Sequence, residues 1–266
     1  MDLSRNIGLI TTKQQKRLLN ASVLICGCGG MGGVCAEVLV RMGVNKLTLI
    51  DHDKFEASNS NRQIHCNRST FGKYKADVLK NEFLKINPKA KITVYREPVS
   101  LQNVNKILKG IDIVVNGMDQ MLPSICLERE ARRRKISIVD AWITPFASVF
   151  SMKPNDPHWE EFLGFPTRFK RETQITKEDC REALRKEVAY TFSHFDPYSY
   201  ISRALVKRIV EDKQKRPSLA PVVWLSGVLM ANEVFKIVAG LPDVGPAGIF
   251  YDQYRHRLMS GKRGSK

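Results

Sequence analysis

Apolar positions along the chain fall into short runs that alternate with stretches of helical spacing. Val23–Ile25 is a compact, partly β-branched run that reads as a buried strand, preceded by a helix over about 13–20. Gly27–Gly33 turns the chain, apolar residues then recur at helical spacing from Val34 to Met42, and "KLTLID" reads as a second strand that ends on an acid. The pattern continues with a helix over about 75–84, the strand "KITVYRE", a short helix near 104–108, the apolar strand "DIVVNGMD", the helix "SICLEREARRRK" and the strand "ISIVDAW". Strands that alternate with helices in this way predict a Rossmann-like, doubly wound α/β fold with a mostly parallel sheet.

Beyond that strand the alternation breaks down. Residues from about 154 to 217 are rich in aromatics, prolines and charges, show little strand character, and hold one helical stretch, "KEDCREALRKEVA". They read as a crossover segment laid over the sheet. An apolar helix over about 222–239, stopped by Gly240 and Pro242, and a strand "AGIFYD" close the fold. The predicted organisation is one domain over 1–266: a nucleotide-binding half (1–150), a crossover and substrate segment (151–220), a closing helix and strand (221–256), and a disordered basic tail (257–266). The closing helix carries Asn232, Glu233 and Lys236, which the centre of a bilayer penalises by about 2.5–3.5 kcal/mol for each charged residue. It therefore reads as a core helix, and no membrane association is expected.

The net charge is +16, and much of it stands in "RRRK" at 132–135, "RFKR" at 168–171, "KQKR" at 213–216 and the tail. Solvated helix faces explain such clusters, but so do partners of opposite sign: an acidic protein or nucleic acid. The six cysteines form no CxxC pair, and the N-terminus has no secretory signal, so a reducing cytoplasm is the expected setting.

In the turn after the first strand, Gly27, Gly29 and Gly32 fall at the Gly-x-Gly-x-x-Gly spacing, with Gly30 beside them. Glycines there let backbone amides and a helix N-terminus approach a phosphate, and Asp51, at the end of the next strand, stands where an acid can accept hydrogen bonds from a ribose. A dinucleotide redox site is the commonest meaning of such a loop. The following residues, Asp53, Asn59, Arg62 and Gln63 in "IDHDKFEASNSNRQIH" and Lys75 in "FGKYKADVL", are more polar groups than an NAD site needs. Arg62 and Lys75 suit the charge that a nucleotidyl transfer gathers on phosphate oxygens, and Asp119 after "VVNGM" suits a magnesium ion at the carboxyl end of the sheet. Taken singly, Arg62 also fits a surface ion pair, Lys75 a helix start and Asp119 a helix cap.

In order along the chain, "GCGGMGG", "DHD", Asn59 with Arg62 and Gln63, "GKYKA", "INP" at 86–88 and "GMD" resemble the ThiF, MoeB and ubiquitin-activating enzyme family. The resemblance runs over about half the chain. It implies an enzyme that uses ATP and magnesium to adenylate the C-terminal carboxylate of a small ubiquitin-like or sulfur-carrier protein, or of a peptide. It further implies that Asp51 contacts the ribose, that Asn59, Arg62, Gln63 and Lys75 contact the phosphates, that Asp119 ligates magnesium, and that Arg5 reaches a neighbouring site across a homodimer.

Two departures stand out. Without CxxC pairs no structural zinc is expected. The crossover segment holds one cysteine, Cys180, whose acidic neighbours Glu178 and Asp179 disfavour the thiolate that a thioester would need; Cys66, near the phosphate site, is the lesser alternative. A tRNA threonylcarbamoyladenosine dehydratase-like activity, which "NSNRQIH" resembles and the basic clusters suit, is the second reading. A non-catalytic nucleotide-binding subunit is the third. His65, His158 and His194 lack metal-ligand spacing and carry no assigned chemistry.

Overall fold

A computed structural model describes residues 1–142, 145–194 and 196–261. The capping box of Thr11 and Gln14 starts α1 (Thr12–Asn20), which leads into β1 (Ser22–Cys26), α2 (Gly30–Met42) and β2 (Lys46–Ile50). Next come α3 (Lys75–Ile86), β3 (Lys91–Tyr95), α4 (Val104–Ile107), β4 (Ile113–Asn116), α5 (Met121–Arg133) and β5 (Ser137–Asp140). The remainder is β6 (Ala147–Met152), α6 (Trp159–Phe162), α7 (Lys177–His194), α8 (Arg203–Val210), α9 (Ala220–Ala239), β7 (Ile249–Asp252) and β8 (Arg257–Ser260).

The strands form one sheet in the order β3-β2-β1-β4-β5-β6-β7-β8. Pairings from β3 through β5 are parallel, and those from β5 through β8 are antiparallel. The expected Rossmann-like α/β fold is therefore present, with an antiparallel extension at one side. Val23, Leu24, Ile25, Ile113, Val114 and Val115 are buried on both faces, as central parallel strands require. One core packs α2, α3 and α9 on one face of the sheet, and a second packs α5, Trp159 and Phe250 on the other.

Three features depart from the expected pattern. β6 is a fully buried strand just before the crossover, where the sequence pattern marks no element. Within the tail expected to be disordered, Arg257–Ser260 forms β8 on the sheet edge, hydrogen-bonded to β7; residues 262–266 of that tail lie outside the described residues. The crossover carries a second amphipathic helix, α8, with Ser202 as its cap. The apolar α9 is long enough to cross a bilayer, yet its inner face packs on α2 and β6, and Glu233 is buried in an ion pair with Lys236 at 2.7 Å.

The chain order reverses between β1 and β4, whose carboxyl ends face the same side. In open α/β sheets, that reversal leaves a crevice for ligands. Here it is lined by Gly27, Gly29, Gly30, Asp51, Asp53, Arg62, Gln63, Lys75 and Asp119.

Candidate active site

The glycine turn is fixed by contacts that side chains would prevent. Gly27 has φ of +85°, and a Cβ there would lie 2.7 Å from the Gly117 carbonyl oxygen. A Cβ on Gly32 would lie 2.0 Å from the Gly27 carbonyl oxygen, so this residue sets the approach of α2 to the turn. Gly29 caps α2 with no side-chain hydrogen bond, which leaves the first amides of the helix and its positive dipole end facing the cleft. This is the arrangement that binds anions.

Asp51 clamps the turn. One carboxylate oxygen accepts from the Cys28 amide at 2.7 Å and the other from the Asp53 amide at 2.8 Å. Burial pushes its carboxyl above the ordinary range, against the pull of those two amides and Lys75. Each oxygen retains a lone pair for a further donor.

Lys75 opens α3 with its side chain 7% exposed and its Nζ 2.9 Å from an Asp53 carboxylate oxygen. Burial pulls the Asp53 carboxyl upward, but the Lys75 hydrogen bond and charge prevail and hold it below its ordinary value. Arg62 donates from Nη1 to the Ser58 carbonyl at 3.0 Å and to Asn61 Oδ1 at 2.8 Å, while its own carbonyl accepts from the Trp224 indole at 2.8 Å. Gln63 lines the cleft, and its buried Oε1 has no hydrogen-bond partner among the described residues, an acceptor open to a donor.

Asn59 does a different job. Its Oδ1 accepts from the Glu56 amide at 3.1 Å, and its carbonyl accepts from the amides of Arg62 and Gln63, so it shapes the loop that presents them. Asp119 is exposed on the loop after β4, and no hydrogen bond or ion pair engages its carboxylate among the described residues. Gln120, not Asp119, stands at the cap position of α5, and it makes no side-chain cap. Asp119 is thus left free for a hard cation. The side chains of Asp51, His52 and Asp53 also offer ligand atoms within 4.8 Å of one another.

Arg5 is exposed in a 3₁₀ turn whose neighbours lie at the far end of α2: Asn6 bonds Gln15 at 2.9 Å, and Leu3 stands against Gly43. One chain alone does not bring Arg5 to the cleft.

All six cysteines are free. Burial pushes Cys26 and Cys28 far from thiolate formation, and burial also raises Cys66, whose Sγ donates to the Glu56 carbonyl at 3.4 Å. Cys180 lies on α7 along a larger cleft that continues from the first, and burial followed by Asp179 raises its thiol as well. His65 is held by Glu37 at 2.6 Å, away from the cleft lining.

The continuation of the cleft contains groups that no motif marks: Glu128 on α5, Asp140 ending β5, Trp142, and Glu187 on α7. The one sequence signal was the position of Asp140, at the carboxyl end of a strand in "SIVDAW".

A glycine turn at a topological switch point, an uncapped helix start, two cations and a free carboxylate define a nucleotide-binding α/β domain. The chain belongs to the ThiF family, which it matches over residues 3–263. A tRNA threonylcarbamoyladenosine dehydratase of Bacillus subtilis (strain 168) is 31% identical over 244 residues, 87% of this chain and 92% of that protein. The Escherichia coli (strain K12) protein of the same name is 36% identical over 121 residues, 45% of each chain. An adenylyltransferase and sulfurtransferase MOCS3 of Drosophila yakuba is 37% identical over 40% of this chain, a match that spans 24% of that relative. Among solved structures, Escherichia coli MccB with ATP shares the fold at a TM-score of 0.71 and 21% identity, covering 95% of this chain and 67% of that one.

Proposed function

We propose that this chain binds ATP in the glycine cleft and adenylates a carboxylate, that of the C-terminus of a small ubiquitin-like or sulfur-carrier protein or of a peptide. The observation that carries this reading is the convergence of the uncapped α2 start, Lys75, Arg62 and the unpartnered Asp119 on one crevice.

A carboxylate oxygen attacks the α-phosphorus, a P–O bond forms, and the bond to the leaving pyrophosphate breaks. The obstacle is repulsion between two anions, so catalysis is alignment and charge neutralisation. The amides from Gly29 onward hold phosphate oxygens, and Lys75 and Arg62 offset the charge that gathers on the leaving group. Asp51 accepts from the ribose hydroxyls, and the orphan Gln63 Oε1 takes a donor from the bound nucleotide. Asp119 would hold a magnesium ion, which would supply further positive charge at the phosphates. No thiol takes part in this step, in keeping with the raised thiols of Cys66 and Cys180. The free cysteines support a cytoplasmic setting.

Pyrophosphate exchange into ATP, dependent on an added carrier or peptide tail, tests the reading. ATP binding with no exchange across a set of such tails would overturn it.

The Bacillus subtilis relative favours a second reading, in which the activated carboxylate is on tRNA. tRNA binding that weakens steeply with salt, followed by AMP formation, would select it. In either case we assign Arg5 to the site of a second subunit: Arg5 is exposed, as are the apolar Ile7 and Leu9 beside it. Light scattering that reports a monomer would remove that assignment.

A further inference from the structure

The wider cleft beyond the phosphate site is lined by acids and bases alike, and three of its acids, Glu128, Asp140 and Glu187, form no ion pair among the described residues. Glu128 is 5% exposed and lines this cleft, and its carboxylate makes no hydrogen bond or ion pair among the described residues. Asp140 is 4% exposed; its carboxylate accepts from Asn116 Nδ2 at 3.0 Å, from the Ala141 amide at 2.6 Å, and from the Trp142 side chain. Glu187 is partly buried on the facing helix α7.

The surrounding cations are committed elsewhere or stand apart. Arg129, next to Glu128 in sequence, is held by Glu160 at 2.7 Å and by the carbonyls of Thr167 and Lys170. Arg216 faces Glu187 without an ion pair within 4.0 Å, and the exposed Lys177, Arg181 and Lys215 line the same cleft without pairing to any of the three acids. Burial first, then mutual repulsion, raises Glu128 and Asp140 well above the carboxylate range. Such buried acids avoid charge by holding protons, and a cation seated among them would let them ionise.

The geometry selects which kind. Among the described residues, the three acids do not bring their oxygens within 4.8 Å of one another, as a single metal ion requires and as Asp51, His52 and Asp53 do. The indole of Trp142, stacked on Phe150 at 4.0 Å, stands in the same wall, and aromatic faces attract organic cations. Beyond Glu187 the cleft meets an apolar pocket of Leu184, Val188, Ile201, Val206 and Val222, which suits the alkyl stem of such a group.

We propose that Glu128, Asp140 and Glu187, with the Trp142 indole, form a recognition site for an organic cation, an alkylammonium or guanidinium carried by the molecule whose carboxylate is activated. The role of this site rests on the adenylation reading; its existence does not.

Calorimetric titration of the full chain at low salt tests it, with n-butylammonium and agmatine as probes and n-butanol and calcium chloride as controls. The cations should bind at one site at least about 10-fold more tightly than butanol, and Glu128→Gln and Glu187→Gln should each weaken them by about 10-fold or more. Two substitutions on different helices guard against one that disturbs folding, which the melting temperature reports. Equal binding of butanol, indifference to both substitutions, or stoichiometric displacement by calcium would overturn the proposal. ATP affinity is measured on the same samples. Loss of ATP binding with amine binding intact would sink the adenylation reading alone, and the reverse would sink the cation site alone.

Discussion

The glycine turn makes two separable demands, and a pair of alanine substitutions separates them. At Gly32 the added Cβ would lie 2.0 Å from the Gly27 carbonyl oxygen, against an ordinary contact of about 3.4 Å, so α2 and the turn must move apart by more than 1 Å. Overpacking of that kind costs about 1–3 kcal/mol, and it carries the helix start away from its phosphate geometry. At Gly29 the nearest atom is Gln63 Nε2 at 3.6 Å, so the methyl fits the unliganded fold and should cost less than about 1 kcal/mol. It occupies the surface that a phosphate needs for amide contacts of about 2.8–3.0 Å, and each charge-assisted bond lost is worth about 1.5–3 kcal/mol. Gly32→Ala should therefore lower both the unfolding midpoint in urea and the affinity for ATP. Gly29→Ala should leave the midpoint near its starting value and weaken ATP by about 10-fold to 100-fold in calorimetry. Undiminished ATP binding by Gly29→Ala would refute the cradle.

Lys75→Met should lower AMP formation by about 100-fold while shifting stability by less than about 1 kcal/mol, since its partner Asp53 is 53% exposed; rate and melting temperature measured together check both halves. Asp119→Asn should leave the melting temperature unchanged, because no described residue engages that carboxylate, and raise the magnesium needed for half-maximal AMP formation by about 10-fold. The folded state holds a proton on Glu187, pushed up to about 7 from 4.5 by burial, that the unfolded chain has released. That contribution is fully present below pH 4.5 and is lost as pH rises through about 7, so Glu187→Gln should flatten the decline in melting temperature across that window. An unaltered slope would mean that Glu187 titrates in the ordinary range.

The parallel half was legible because its strands are apolar runs closed by glycine, and burial on both faces permits little else. β6 escaped because Ser148 and Ser151 interrupt its apolar pattern. Both are fully buried, the amide of the first donating to Ser226 Oγ at 3.1 Å and the hydroxyl of the second to Asp243 at 2.6 Å, partners remote enough in the chain to leave no local trace. β8 escaped for the opposite reason: as an edge strand with exposed arginine and leucine, it resembles a solvated tail. The same limit governs the site. Asp51, Lys75 and Gln63 sit at motif spacings, whereas Glu128 in "CLEREARRRK" looks like its neighbour Glu130, which is also buried but pairs with Arg133 and Arg134. Only the helix's rotation aims one at the cleft and the other at the arginines.

Sheet topology gives the two ends of the cleft opposite preferences. At the parallel switch point, between β1 and β4, strand ends and the α2 start present amides and cations, which favour anions. Toward β5, Asp140, Glu128 on α5 and Glu187 on α7 line the cleft with no ion pair among the described residues, although Arg216 faces Glu187. A substrate with a carboxylate at one end and an ammonium or guanidinium at the other is then oriented before any reaction. The reversed pose sets its cation against Lys75 and Arg62 and its anion beside three buried acids that it cannot help to ionise, so rejection comes from repulsion at one end and lost attraction at the other. The outer surface acts at a different range: its +16 draws acidic partners from solution, but screening over about 8 Å at physiological salt leaves that attraction outside the cleft. Encounter and selection thus depend on charges of opposite sign, and salt weakens the first far more than the second.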